Sequence, residues 1–152
     1  MEMEYALNDI SKAASWIMEH LHAVRIIALH GEMGAGKTTF VRYLLRALGV
    51  SGRIKSPTYG LVESYTGVGL SGPFSIWHFD FYRLQDPQEW IEAGLRDHFT
   101  QEGLKLVEWP EQAGEQRPPA DLALHIDNVD EDSRGVRAVA YTERGRHLLE
   151  VL

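Results

Sequence analysis

One glycine-rich segment carries the clearest chemical signal in the sequence. Residues 31–38 read Gly-Glu-Met-Gly-Ala-Gly-Lys-Thr, which fits the pattern G-x-x-x-x-G-K-[ST]. The glycines let the backbone wrap closely around phosphates, and the positive end of the following helix favours the same negative charge. Lys37 would bring its charge to the β- and γ-phosphates, and the Thr38 hydroxyl can ligate Mg²⁺. The nucleotide-binding residues predicted from this pattern are Glu32, Met33, Gly34, Ala35, Gly36, Lys37, Thr38 and Thr39.

Two strand-like segments end in acidic residues, and both acids are candidates for the same site. Residues 77–80 read WHFD and residues 106–108 read LVE. A phosphate-binding loop needs acidic partners that complete the metal site and orient the nucleophile. Alternatively, each acid is solvated or caps a turn. With the phosphate loop present, we expect Asp80 and Glu108 to point toward one phosphate site. We also expect the Lys37 side chain to be solvated when no ligand is bound.

The residues alone leave more than one interpretation for each of three other features. Residues 56–59 (SPTY) lie where related NTPases have a switch segment that senses the γ-phosphate, or they form an ordinary proline turn. Arg83 is close enough to Asp80 in sequence to act as an arginine in the site, or it forms a surface ion pair. A local basic run is either a solvated face or a docking surface for an acidic partner, or for RNA held by that partner. Its members are Arg42, Arg46, Arg53 and Lys55.

Strand and helix patterns alternate along the chain and predict the elements that position these residues. Strands are predicted at 24–30, 61–65, 75–79, 104–109, 122–126 and 136–140, with a loop at 66–74. Helical spacing of apolar residues predicts helices at 10–21 and 40–48. Asp86 and Pro87 begin a third predicted helix. Its buried side would comprise Trp90, Ile91, Gly94, Leu95, His98 and Phe99.

This alternation predicts an α/β fold of the P-loop NTPase type. Its largely parallel sheet is flanked by helices, with antiparallel edge strands near the C-terminus. Ligands bind at the carboxyl ends of the strands in such sheets, which is where the motifs fall. Because no repeat, low-complexity run or linker divides the chain, we expect residues 1–152 to form a single domain.

Composition narrows the class of protein further. The 152 residues carry a formal net charge of −7, which disfavours a free-standing nucleic-acid binder because such proteins need a basic surface. The absence of cysteine excludes disulfides, thiol catalysis and cysteine-based zinc sites. The first residues do not have the pattern of a secretory signal, and the apolar runs are short. We therefore expect a cytoplasmic protein with no membrane contact.

The four motifs together resemble the TsaE family, formerly YjeE, of bacterial P-loop ATPases in tRNA threonylcarbamoyladenosine (t6A) formation. The matching blocks are GEMGAGKTTF, KSPTYGLVESY, HFDFYRL and LVEWPEQ, in this order and spacing. They extend over residues 31–112, and residues 92–97 (EAGLRD) are also similar to the family. The resemblance implies a Mg²⁺-dependent ATPase that serves the TsaB and TsaD proteins. TsaD transfers the threonylcarbamoyl group to adenosine 37 of ANN-decoding tRNAs, so this chain would meet tRNA indirectly, through the complex.

The resemblance also implies roles for individual residues. Lys37 would contact phosphate, while Thr38 and Glu108 would hold Mg²⁺. Asp80 would act on the attacking water, which makes Asp80 and Lys37 the catalytic residues. The division of the two acids between metal and water depends on the resemblance alone. Two residues join the nucleotide-binding set on the same basis, namely Thr58 in the switch-like segment and Trp109 beside Glu108.

Two other classes of P-loop protein are alternatives. A small-molecule kinase usually has a lid with several arginines, and no arginine-rich segment of this kind follows Glu108. A regulatory GTPase would carry the guanine-reading motif N-K-x-D, which is absent and so favours adenine. The kinase is the stronger alternative to an ATPase that acts as an auxiliary subunit.

Overall fold

A mixed sheet is the frame of the protein in the computed structural model, which describes residues 2–6, 25–32, 36–57, 61–69, 72–128, 133–143 and 145–146. Seven strands are found among these residues: β1 (Glu2–Ala6), β2 (Ile26–His30), β3 (Val62–Gly69), β4 (Gly72–Asp80), β5 (Leu104–Glu108), β6 (Leu122–Asn128) and β7 (Ser133–Ala140). Their order across the sheet is β1-β7-β6-β2-β5-β4-β3. The strand β2, which leads into the glycine-rich segment, therefore lies in the middle.

The centre of the sheet is parallel and both of its sides are antiparallel. Strands β6, β2, β5 and β4 are parallel neighbours, β7 and β1 continue the sheet in antiparallel pairing, and β3 pairs antiparallel with β4. The α/β fold and the antiparallel strands near the C-terminus are confirmed. The second antiparallel edge, at β3, follows from the short connection between β3 and β4.

The helix after the glycine-rich segment packs on one face of the sheet. Helix α1 (Lys37–Ala47) buries Phe40, Val41, Leu44 and Leu45 at helical spacing. These side chains form one apolar core with Ile27 and Leu29 of β2, among others. The chain leaves the helix through Gly49, whose φ of +88° suits glycine, so the predicted helix end is confirmed.

The loop predicted at 66–74 is wrong, because most of it is strand. Strand β3 continues to Gly69 and β4 begins at Gly72. A Cβ atom on Gly67 would lie 2.5 Å from the ring atom Cζ of Phe74, its partner in the pairing. The aromatic ring therefore lies against the glycine, a cross-strand arrangement in which glycine stabilises the hairpin by leaving room for the ring. Glycine content alone suggested a loop.

The helix predicted to run from residue 86 to Phe99 is also wrong in its length. It is a short helix, α2 (Gln88–Glu92), followed by a first 3-10 helix (Leu95–Thr100). The break is at Gly94, whose φ is +77°. The predicted start is confirmed, since the Gln88 N–H donates to Asp86 Oδ1 at 2.9 Å.

The break at Gly94 lets both parts of this segment pack on the second face of the sheet. Trp90 and Leu95 are buried on either side of it, in a second apolar core with Phe79 and Phe81. A second 3-10 helix (Pro110–Ala113) follows β5 directly. The helix predicted at 10–21 lies outside the described residues. No helix in the described part of the chain is both long and apolar enough to span a membrane.

Candidate active site

The end of β2 and the start of α1 flank the predicted phosphate loop. The strand ends at His30, and the helix begins at Lys37, directly after Gly36. Gly36 has φ of +104°, a conformation that side chains disfavour, so the glycine of the motif is needed there. Thr38 and Thr39 are half-buried in the first turn, and Glu32 is exposed. The other predicted loop residues, Met33, Gly34 and Ala35, lie outside the described residues.

Lys37 is buried, so the expectation that it is solvated without ligand is wrong. Only 6% of the residue is exposed. Its ammonium donates a hydrogen bond to the Gly31 carbonyl and lies 3.7 Å from the centre of the Trp109 ring. Burial lowers the pKa of Lys37 below its ordinary value, although the negative charges of Glu108 and Asp80 oppose the shift. The indole covers the ammonium and keeps it near the carboxylates.

Asp80 and Glu108 lie side by side at the carboxyl ends of two adjacent parallel strands. They are direct neighbours in the pairing of β4 with β5, and Glu108 is also the neighbour of Leu29 near the end of β2. Burial raises the pKa of Asp80, and the charge of Glu108 adds to the increase. The Tyr82 N–H, which donates to Asp80 Oδ1 at 3.0 Å, opposes it. The structure therefore brings both acids to the strand ends beside Lys37.

His78 is a site residue to which the sequence analysis assigned no role. It is almost fully buried, and its Nε2–H donates to Glu108 Oε2 at 2.6 Å. Its other ring nitrogen, Nδ1, is buried and has no hydrogen-bond partner among the described residues. The signal for it was available, because residues two apart in a strand face the same side, and His78 precedes Asp80 by two. His78 holds the Glu108 carboxylate in one orientation.

Trp109 is held in an unusual backbone conformation. Its φ of +55° lies in the left-handed region, which is costly for a residue with a bulky side chain. It precedes the second 3-10 helix, and its ring centre lies 5.1 Å from that of Tyr82. The indole lies over Lys37. The resemblance implied only that Trp109 belongs to the nucleotide-binding set.

Two histidines form a second pair beside the phosphate loop. The rings of His30 and His125, at neighbouring positions in β2 and β6, stack with centres 4.6 Å apart. His30 Nδ1 lies 3.7 Å from Glu111 Oε2. Burial lowers the pKa of His30, and His125 lowers it further. Both rings therefore favour the neutral form, which avoids adding positive charge beside Lys37.

The remaining candidates are Thr58, Arg83 and the basic run. Thr58, the predicted switch residue, lies outside the described residues. Arg83 is exposed in the turn after β4, so its two interpretations stay open. The four residues of the basic run are exposed on α1 and on the segment that follows it.

The donor set fits a nucleotide with a hard divalent cation. Two neighbouring carboxylates and the hydroxyls of the first helical turn are oxygen ligands of the kind that Mg²⁺ prefers, and Mg²⁺ usually takes its remaining ligands from phosphates and water. The charge of Glu108 destabilises the charged form of Asp80, and a cation would relieve that repulsion. Thr38 and Glu108 would hold the metal, and Lys37 would neutralise phosphate charge.

Comparison with known proteins identifies one family. The chain matches the model described as threonylcarbamoyl adenosine biosynthesis protein TsaE over residues 5–136. It is 38% identical over 148 residues to the tRNA threonylcarbamoyladenosine biosynthesis protein TsaE of Haemophilus influenzae, covering 96% of this chain and 90% of that protein. The protein of the same name from Aquifex aeolicus is 37% identical over 132 residues, covering 85% and 87%. The crystal structure of Bacillus subtilis YdiB has a TM-score of 0.70 at 25% identity, covering 99% and 93%.

Proposed function

This chain belongs to the TsaE family, and we propose on that premise that it hydrolyses ATP with Mg²⁺ as an auxiliary subunit of tRNA threonylcarbamoyladenosine biosynthesis. The family predicted from the four motifs is confirmed by these matches. The proposal goes beyond family membership in two respects, namely the reaction and the partner proteins. The chain would act with TsaB and TsaD in the modification of adenosine 37 of ANN-decoding tRNAs, and it would meet tRNA through that complex.

The observation that carries the proposal is the convergence of three charged groups from three elements, of which Lys37 and Glu108 are buried and Asp80 is half-buried. Lys37 begins α1, Asp80 ends β4 and Glu108 ends β5. Each acid opposes the lowering of the Lys37 pKa, so both carboxylates act electrostatically on the ammonium. A lysine beside two carboxylates at a strand–loop–helix junction supports phosphoryl chemistry, because hydrolysis needs charge neutralisation, a metal site and a group that orients water.

The surroundings of each residue indicate its proposed role in ATP hydrolysis. Lys37 would bind the β- and γ-phosphates after leaving the Gly31 carbonyl, and the Trp109 ring would limit how far its ammonium moves. Mg²⁺ bound by Thr38 and Glu108 would supply further neutralisation of phosphate charge. Asp80 would orient the attacking water and accept its proton. A raised pKa makes the Asp80 carboxylate a stronger base than an ordinary aspartate.

One experiment separates this function from a small-molecule kinase. Phosphate release from ATP should be measured for the purified chain alone and after addition of purified TsaB and TsaD. We expect slow hydrolysis alone and strong stimulation by the two proteins. Transfer of the γ-phosphate to a metabolite by the chain in isolation would instead establish the kinase, and an absence of stimulation would contradict the role as an auxiliary subunit.

The metal site is tested by a Mg²⁺ titration of the same reaction. Thr38→Ala and Glu108→Gln should each need more Mg²⁺ for half-maximal hydrolysis, because each removes an oxygen ligand or its charge. Thr66→Ala and Glu143→Gln are matched controls on exposed side chains. Titration curves for Thr38→Ala and Glu108→Gln that coincide with the wild-type curve would move the metal to other residues.

A further inference from the structure

Four exposed cations form a continuous surface on one side of the protein. Arg42 and Arg46 lie one turn apart on the exposed side of α1, and Arg53 and Lys55 lie on the segment that follows. The two parts meet at Tyr65, because the Lys55 N–H donates to the Tyr65 hydroxyl at 3.0 Å and Arg46 acts electrostatically on the same hydroxyl. We call these four cations the basic face.

The fold makes little use of these charges. In the part of the chain that the structure describes, no residue of the basic face lies within ion-pair distance of a carboxylate. Arg42 and Arg46 are four residues apart, and like charges at that spacing disfavour a helix. The chain is acidic as a whole, with a formal net charge of −7. A concentration of cations that have no carboxylate partner among the described residues, on an acidic protein, indicates a binding role.

The surroundings of the basic face have the composition of a protein interface. Tyr43 is 47% exposed on the same helix, and Val68 is 58% exposed where the Val68 N–H donates to the Leu48 carbonyl at 2.9 Å. A cavity of about 650 Å³ lies beside the segment after α1 and the edge strand β3, and Arg53, Lys55 and Glu63 form part of its lining. Exposed tyrosine and arginine beside an open cavity match the anchors that dominate protein–protein binding.

We propose that the basic face docks onto an acidic surface of a partner protein, a step that rests on the proposed role as an auxiliary subunit. Charge decides between protein and RNA as the occupant. The rest of the chain is strongly acidic, so an extended polyphosphate would be repelled along most of its length. A compact acidic patch interacts mainly within the screening length of about 8 Å, so it can contact the basic face without meeting most of the acidic surface.

The position of the basic face also connects a docked partner with the proposed nucleotide site through α1. Thr38 and Arg42 lie four residues apart on α1, so they occupy the same side of the helix in successive turns. Lys37 begins the same helix. A protein docked on Arg42 therefore contacts the helix that carries the phosphate-binding residues, and binding of the partner and of ATP can affect each other through α1.

The test is a charge reversal at both ends of the surface. Arg42→Glu/Arg53→Glu changes two exposed side chains, whereas Arg46 is kept because its guanidinium donates to the Val50 carbonyl at 3.1 Å. Arg25→Glu/Arg146→Glu is the matched control, with the same change in net charge at two exposed arginines outside the face. Binding of each fluorescently labelled chain to purified TsaB and TsaD should be measured at about 50 and about 500 mM salt, and ATP binding by the chain alone checks the fold.

The expected result is a loss of affinity of about tenfold or more for Arg42→Glu/Arg53→Glu at low salt, a smaller loss at high salt, and little change in the control. Equal losses in both variants would mean that only net charge matters, and an unchanged affinity would overturn the proposal. A loss of binding to purified tRNA, with protein binding retained, would identify RNA as the occupant instead.

A wild-type chain that does not bind TsaB and TsaD would contradict the proposed function rather than the chemistry of the face. Chromatography on immobilised poly-glutamate at low salt then tests the face independently. Wild type should be retained longest, the control variant should elute earlier, and Arg42→Glu/Arg53→Glu should elute first. Equal retention of the two variants would overturn the basic face as a site for acidic protein surfaces.

Discussion

Two lysines are buried at opposite ends of the same sheet, and their comparison separates a charge that holds the fold from one that we propose acts in catalysis. Lys37 is 6% exposed after the carboxyl end of β2, and Lys105 is 0% exposed near the amino end of β5. Burial lowers the pKa of both below the ordinary value for lysine. Each ammonium also faces an indole, Trp109 at 3.7 Å for Lys37 and Trp77 at 5.3 Å for Lys105.

Their surroundings differ in how much hydrogen-bonding capacity is already used. Lys105 donates to the carbonyls of Gln101 and Gly103. The nearby Asp121 accepts from the backbone N–H groups of Arg25 at 2.9 Å and Ile26 at 3.1 Å, and from the Thr142 hydroxyl at 2.9 Å. This end of the sheet is held by bonds between side chains and backbone, so its buried charges stabilise the fold.

At the end of the sheet with Lys37, part of the hydrogen-bonding capacity of the buried groups is unused. The structure records one carbonyl acceptor for Lys37, Asp80 lies beside a second carboxylate, and the buried Nδ1 of His78 has no partner within the described residues. Burial of charge is therefore a poor marker of a site in this protein. Buried groups whose bonding capacity is unused, and whose charges oppose each other, are the better marker.

The largest expected effect is on Lys37. Lys37→Met keeps the length of the side chain and removes its charge, so hydrolysis of ATP in the presence of TsaB and TsaD should fall by about 10³-fold, as for removal of a group that stabilises transition-state charge. Lys105→Met is the matched control and should retain wild-type hydrolysis per folded molecule while lowering the melting temperature. Equal losses of activity in the two variants would remove the distinction between the two lysines.

Asp80→Asn should separate binding from chemistry. The amide has nearly the shape of the carboxylate but cannot accept the proton of the attacking water, so hydrolysis should fall by about 10²-fold. Affinity for a fluorescent ATP analogue should change little. If affinity is lost instead, Asp80 is chiefly a metal ligand and exchanges roles with Glu108. If neither quantity changes, Asp80 is a solvated strand end.

Asp121→Ala should affect the fold and leave the chemistry unchanged. It removes the acceptor of the Arg25 and Ile26 N–H groups, and leaving such donors unpaired should lower the free energy of unfolding by about 2 kcal/mol. Urea denaturation measures this loss, with Asp127→Ala as a control on an exposed side chain. Hydrolysis per folded molecule should stay at the wild-type level. A specific loss of activity without a loss of stability would make this end of the sheet functional as well.

A smaller effect is expected at His78, which orients Glu108. His78→Leu removes the hydrogen bond at 2.6 Å, and the Mg²⁺ concentration for half-maximal hydrolysis should rise about tenfold, as for other residues that orient a metal ligand. His78→Gln retains an N–H donor and should restore most of the affinity for Mg²⁺. A purely structural role would instead lower the stability of His78→Leu without changing its requirement for the metal.

The smallest expected effect is a shift in the titration of Asp80. Carboxyl ¹³C NMR of the ligand-free protein should show a pKa of Asp80 above the ordinary value of aspartate, because burial and Glu108 disfavour its charged form. Lys37 stabilises that charged form, so the pKa should rise further in Lys37→Met and remain unchanged in Lys105→Met. Hydrolysis should accordingly begin to fall, as the pH is lowered, at a higher pH than an ordinary aspartate would allow.

Local patterns in the sequence determined the framework of the candidate site. The strand ending at His30, the glycine-rich segment and the helix beginning near Lys37 are contiguous, and their glycines, apolar spacing and breakers act over a few residues. The same holds for the acids at the ends of β4 and β5, since each follows a short apolar run. The family could also be identified from four motifs, because their order and spacing can be read without knowledge of the fold.

Where local composition and tertiary packing disagreed, the predictions of secondary structure were wrong. The glycines at 67 and 69 suggested a loop, but the ring of Phe74 uses the space above Gly67 and extends the hairpin. A helical pattern continued past Gly94, but the chain turns there so that Trp90 and Leu95 both reach the core. In the first case a cross-strand contact within the hairpin outweighed the local preference, and in the second case packing against the core did so.

The sequence predicted that Asp80 and Glu108 share one site, but only the tertiary structure showed that they are direct neighbours. Strand β5 lies between β2 and β4, which puts Glu108 beside Asp80, and no periodicity within a strand reveals its neighbours. The indole over Lys37 comes from a residue 72 positions later in the chain, held by a left-handed backbone at Trp109. The sequence by itself determined which side chains can do phosphate chemistry, because that depends on residue type and local spacing. Their burial and their partners depend on strand order, which long-range packing selects.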